Sequence, residues 1–175
     1  MLVALSVSAQ NKPFLEDLSY YVENLEVFEL NQEEGRAYHI PEKSLLLNGT
    51  WKFDFTMPKT GEHKSLTSVV PGNVEIPLME NGIIGDCMPA DTIHATTAFD
   101  YVDDWTYTRT FDAPEVQDGW SCNLVFEGID TIADIYLNGD KIYEALSMQM
   151  AHRIDVRGKL KDKDNELKVV IRSAI

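Results

Sequence analysis

From Leu45 onward, hydrophobic and polar residues alternate in short runs, the period of strands with one buried face. In "WTYTRTF", Trp105, Tyr107, Arg109 and Phe111 fall on one face and Thr106, Thr108 and Thr110 on the other. "ADIYLNGDKIY" sets Ala133, Ile135 and Leu137 against Asp134 and Tyr136, and Asn138-Gly139 then supplies the positive-φ pair of a type I′ hairpin. In "NELKVVIRS", Leu167, Val169 and Ile171 point inward, after the charged turn "KDKDN". With "GTWKFDF" and "SCNLVFEG" added, strands recur between Gly, Pro and Asp with no helical period among them. Such a chain cannot build a parallel βαβ sheet, and the pattern predicts an all-β sandwich, a jelly roll, over residues 45–175.

Three segments depart from the alternation. Residues 1–9, from "MLVALSVSAQ", read as the remnant of a signal peptide, an apolar run followed by small residues, and so point to a periplasmic or secreted protein. The same letters also pass as an ordinary first strand. Residues 10–44 are acidic and aromatic without a clean period, which predicts a lead-in strap along the sandwich rather than a second domain. Residues 71–104 carry three prolines over a span too long for a routine turn, and loops beyond about 12–15 residues are usually functional or disordered.

Composition narrows the partners. The chain has 175 residues, of which 44% are hydrophobic, enough to bury a core in one domain. A formal net charge of -14 repels phosphate backbones and anionic headgroups, so neither nucleic acid nor a membrane surface is expected. No apolar run approaches the roughly 20 residues that span a bilayer. A disulfide between Cys87 and Cys122 and two free thiols both fit the sequence, with free thiols preferred, and no Cys-x-x-Cys pair is present.

Candidate chemistry is sparse. Phosphate-loop, dinucleotide and nucleophile-elbow motifs are missing, and His39, His63, His94 and His152 are too scattered for a local metal-ligand pair. "DKDNE" lacks the central Gly and the closing Glu of a calcium loop and reads as a solvated turn. No metal or cofactor is expected. Neighbouring acids such as Glu33-Glu34 and Asp103-Asp104 diverge in direction, whereas glycosidic cleavage needs two carboxyls flanking one bond. Alternation places Arg109 among aromatic residues, so a structural ion pair with a carboxylate on a neighbouring strand is predicted.

Five stretches in a fixed order carry a resemblance: "LNGTWKF", "VPG", "DWTYTRTF", "LVFEGIDTIADIYLNG" and "HRIDVRGKLKDKDNELKVVI". From about Glu23 to its end the chain resembles the N-terminal sugar-binding domain of glycoside hydrolase family 2, the β-galactosidases, β-mannosidases and β-glucuronidases. The resemblance implies a galactose-binding-like jelly roll placed ahead of an immunoglobulin-like domain and a TIM barrel that carries both catalytic glutamates. A barrel takes about 250 residues, so no residue here is expected to be catalytic. It also implies that the loop before Trp105 approaches the barrel's pocket, which makes Gly85, Asp86, Asp103, Asp104 and Trp105 the substrate-rim candidates. A domain interface or a structured turn is the competing use of those residues. "VPGNVEIPLMENGIIGD" is closer to β-mannosidases and "ENLEVFELNQEEGRAYHIP" to β-galactosidases. The expected function is thus a non-catalytic domain of a larger retaining β-glycosidase, with carbohydrate as the partner of the whole enzyme. A free-standing carbohydrate-binding module, with Trp120 or Tyr143 stacking on a sugar, is the alternative.

Overall fold

The computed structural model describes residues 3–8, 44–85, 102, 104–116 and 121–172, with backbone alone for 3–8 and Ser44. The strands are β1 (Val3–Ser8), β2 (Ser44–Leu46), β3 (Gly49–Thr56), β4 (His63–Val70), β5 (Asp104–Phe111), β6 (Ser121–Phe126), β7 (Ile132–Leu137), β8 (Asp140–Ala145), β9 (His152–Asp155) and β10 (Asn165–Arg172). One short helix, α1 (Glu75–Glu80), follows β4. A four-stranded sheet in the order β2-β1-β6-β9 faces a six-stranded sheet in the order β4-β3-β5-β10-β7-β8. Every pairing is antiparallel, as the period-2 pattern requires.

The residues assigned inward by alternation meet in one core. Trp51 and Phe53 from β3, Trp105, Tyr107 and Phe111 from β5, Ala133, Ile135 and Leu137 from β7, and Leu167 and Val169 from β10 are buried against Cys122, Leu124 and Phe126 of β6. Ile171, also assigned inward, is partly buried at the core's edge. Fully burying each large apolar side chain is worth about 1.5–3 kcal/mol. Asn138 and Gly139 have φ of 55° and 94°, the two left-handed residues that reverse β7 into β8.

The "LNGTWKF" stretch owes its form to one buried acceptor. Gly49 takes φ 115°, turning the chain so that the Leu47 carbonyl accepts from Trp51 Nε1 at 2.8 Å and from Arg109 Nη1 at 3.0 Å. A Cβ at Gly49 would stand 3.4 Å from Arg109 Nη1, so the position is tight as well as left-handed.

The opposite end of the sheet is tied by amides. Asn165 is fully buried; its Oδ1 accepts from Lys161 N at 2.8 Å and Asn138 Nδ2 at 3.0 Å, and its Nδ2 donates to Lys161 O at 2.7 Å. Asn138 Oδ1 in turn accepts from Glu166 N at 3.1 Å. The "DKDNE" turn is therefore closed by its own buried asparagine.

Several expectations change. Val3–Ser8 is a strand lying between β2 and β6, so of the two readings of that stretch the strand is the one its pairing fits. The expectation of export drew on the same letters. Most of the strap falls in residues 9–43, outside the described residues, and Ser44 already begins β2. The span 71–104 is not irregular throughout, since it contains α1. Pro77 is tolerated there because it occupies the first turn, where its missing N–H has no helical acceptor to lose. Asn81-Gly82 then ends the helix in a Schellman arrangement: Gly82, at φ 64°, donates to Met79 O at 2.9 Å and Ile83 N to Leu78 O at 2.9 Å. Cys122 is a free, buried thiol, and burial, with Asp155 adding to it, pushes its pKa up to about 11. Cys87 lies outside the described residues.

Replacing Asn165 with Ala removes three buried hydrogen bonds without opening a large cavity. Urea unfolding should show a loss of about 2–3 kcal/mol, since stranded buried polar groups cost about 1–3 kcal/mol each. An unchanged midpoint would contradict the tie.

Candidate functional site

Register brings one end of the six-stranded sheet together. Asp104 pairs with Arg172, Arg172 with Ile132, and one row further in Trp105, Ile171, Ala133 and Ala145 lie side by side across β5, β10, β7 and β8. Asp104 is exposed and Trp105 is 8% exposed. Trp105 stacks on Phe53 at 5.5 Å between centroids and 12° between planes, and packs on Phe55 at 5.2 Å. Its ring faces the core, which removes it from the side chains that could touch a sugar. Gly85, exposed, ends the segment after α1, and Ile84 and Val102 are buried on either side of the span 86–101. Asp86 and Asp103 lie outside the described residues, and of the other candidates Gly85 and Asp104 are exposed.

Arg109 corrects a second expectation. Its Nη1 donates to Leu47 O at 3.0 Å and Asn48 O at 2.7 Å, so among the described residues its partners are carbonyls rather than a carboxylate. Stacked carbonyl dipoles satisfy a half-buried guanidinium without a second desolvated charge. Tyr143 is half-buried against His152, with centroids 5.5 Å apart and its hydroxyl 3.3 Å from His152 Nδ1. That packing occupies the ring proposed as a stacking platform; Trp120 lies outside the described residues.

The outer face near this end carries a charge cluster that alternation placed on the polar side without revealing its partners. Asp134 Oδ1 accepts from Lys141 Nζ at 2.7 Å and Arg172 Nη2 at 2.8 Å, and Arg172 Nη2 also reaches Glu144 Oε1 at 2.5 Å. Lys168 Nζ lies 4.6 Å from the Tyr136 ring centre. The Lys141 hydrogen bond, with Arg172 behind it, holds the Asp134 carboxyl below its ordinary 3.8 despite some burial.

On β3, burial pulls Asp54 upward, but hydrogen bonds from Lys52 and Ser65 outweigh it and keep that carboxyl low as well. Lys52 Nζ sits 2.9 Å from Oδ2, and His63 Nε2 stands 3.5 Å from the buried Oδ1. Arg157 likewise lowers Asp155. A general acid for glycosidic cleavage needs a raised carboxyl pKa; these three are shifted the other way, towards permanent charge. Among the described residues no group of three or more His, Cys, Asp and Glu side chains could hold a metal ion.

Residues 51–175 match the family described as the glycosyl hydrolase 2 galactose-binding domain-like family, and the chain belongs to it. It is 35% identical to β-mannosidase B of Thermothelomyces thermophilus over 109 residues, 61% of this chain and 12% of that protein. The β-D-mannosidase of Dictyoglomus thermophilum superposes with a TM-score of 0.65 at 34% identity, over 73% of this chain and 15% of that one. The β-D-glucuronidase of the same organism has a TM-score of 0.54 at 15% identity, over 74% of this chain and 19% of that one, a likeness of fold alone. This chain thus spans 12–15% of the length of the two β-mannosidases. In such glycosidases the matching part is the N-terminal domain, and a non-catalytic role fits it.

The Asp134 cluster makes stability depend on pH in a defined sense. A carboxyl lowered in the folded state stabilises fully above its unfolded value, and that contribution is lost as pH falls below about 3.8 through the lower folded value. Asp134→Asn should therefore flatten the fall in urea midpoint between the ordinary carboxylate range and more acidic pH. The same slope in variant and parent would show that the cluster does not titrate with folding.

Proposed function

We propose that these residues form the non-catalytic N-terminal domain of a larger retaining β-glycosidase of β-mannosidase type. The substrate of the whole enzyme is a carbohydrate with a terminal β-linked sugar, and the partners of this domain are an immunoglobulin-like domain and a TIM barrel in the same protein. The observation that carries the reading is the register pairing of Asp104 with Arg172. It puts the start of β5 and the end of β10 side by side at one end of one sheet.

In this reading the chemistry is double displacement by two barrel carboxyls, and this domain contributes position. The row Trp105, Ile171, Ala133 and Ala145 packs in or against the core, so Asp104, which precedes it, starts from a rigid sheet end. Side chains of the span 86–103, Asp86 and Asp103 included, then meet the sugar without covalent participation. The β-mannosidase names of relatives above 30% identity favour mannose over galactose as the sugar.

Turnover of 4-nitrophenyl β-D-mannopyranoside by the intact gene product and by the 175-residue chain tests this. Hydrolysis by the former and none by the latter is expected, with Asp86→Ala in the intact product raising KM more than it lowers kcat. Hydrolysis by the short chain, or none by the intact product, would overturn the proposal. Sugar binding by the short chain alone at micromolar Kd would favour the free-standing module.

A further inference from the structure

The segment between β8 and β9 exposes large apolar side chains in close succession: Leu146 at 66%, Met148 at 51% and Met150 at 56%. Isolated exposed apolar residues need no explanation, but three within five positions form a patch. We infer that Leu146, Met148 and Met150 are the docking surface for the domain that follows this one in the longer protein. The inference rests on the N-terminal-domain reading above.

The segment is held, not loose. Buried His152 places Nε2 2.8 Å from Ser147 O, Ser147 Oγ accepts from Gln149 N at 3.3 Å, and Met148 Sδ lies 3.8 Å from Thr131 Oγ1. A backbone fastened on both sides presents its apolar side chains at little further ordering cost, the condition for a preformed contact surface. Charged residues border it: Asp130 and Glu127 are exposed on the β6–β7 connection, and Glu144 with Arg172 closes the β8 side. An apolar centre with a polar border is the anatomy of a protein interface.

Position selects the occupant. Ala145 shares a row with Ile171 through Ala133, so Leu146 leaves the sheet at the end where β10 finishes. Chain continuing beyond Arg172 therefore emerges two strands away, at about 4.8 Å per strand spacing. The related β-mannosidases, of which this chain spans 12% and 15%, have ample further chain to be covered by. A tethered domain arrives at high effective concentration and can use a small contact area. A second copy of this chain must instead bring together two bodies of formal charge -14.

The test compares the 175-residue chain with the intact gene product by hydrogen exchange at the amides of residues 146–151. The account expects exchange slower by about tenfold or more in the intact product, and a return to the short-chain rate with Leu146→Ser, Met148→Ser and Met150→Ser combined. The triple variant should lower the thermal midpoint of the short chain only slightly, since the three side chains are more than half exposed and the one tie it removes is the Met148 Sδ contact with Thr131. Equal exchange in both proteins overturns the inference, as does a concentration-dependent dimer of the short chain that the triple variant abolishes. An intact product that hydrolyses the mannoside while these amides exchange freely removes the docking surface and keeps the proposed function. Protected amides in a product without hydrolysis do the reverse.

Discussion

Phe53 and Trp105 meet face to face where β3 pairs with β5, and Phe55 and Tyr107 close around them. The two-sheet architecture follows from keeping that cluster dry. An aromatic pair in this geometry contributes about 0.5–1.5 kcal/mol beyond the area it buries, and each ring is large enough that truncation to Ala would cost about 3–5 kcal/mol. The six-stranded sheet supplies the rings, the four-stranded sheet covers them with Leu124 and Phe126, and α1 adds Leu78 on the β4 flank. Because Trp105 is second in β5, the same burial fixes Asp104 and the loop base beside it. Packing and position are one property here.

The two ends of the six-stranded sheet are built differently. Where β7 turns into β8, the half-buried amide of Asn138 and the buried amide of Asn165 tie the hairpin to the turn before β10, and Val69 of β4 is exposed at the same end. At the other end, charge pairs on Asp134 and Arg172 sit beside Asp104, and Leu146, Met148 and Met150 are exposed.

Much of this was legible in the sequence, for physical reasons that also mark where legibility stops. Strict alternation in β5, β7 and β10 reflects one buried face each, and Asn138-Gly139 can hardly be anything but a hairpin. Val3–Ser8 was ambiguous because an export signal and a strand share a composition; its pairing with β2 and β6 is a property of the fold that the letters alone do not carry. The helix α1 was hidden by Pro77 and Gly82, breakers by type that here occupy the two positions a helix tolerates or welcomes. Arg109 was correctly placed beside the core, but its partners are carbonyls exposed by the Gly49 turn, a geometry no residue type announces. Among the rim candidates, Trp105 proves to be a core residue stacked on Phe53, which its position in the strand did not reveal.

The start of β5 is anchored to the buried aromatic cluster of the sandwich through Trp105. Native-state hydrogen exchange in increasing denaturant addresses this anchoring directly, because it separates local opening from global unfolding. The account predicts that the amides of Trp105, Val169 and Ile135 converge on one opening free energy, that of global unfolding, and respond to denaturant with the same slope. Exchange of the Trp105 amide through a local opening several kcal/mol below the others would mean that the loop base moves independently of the core, and would contradict the account.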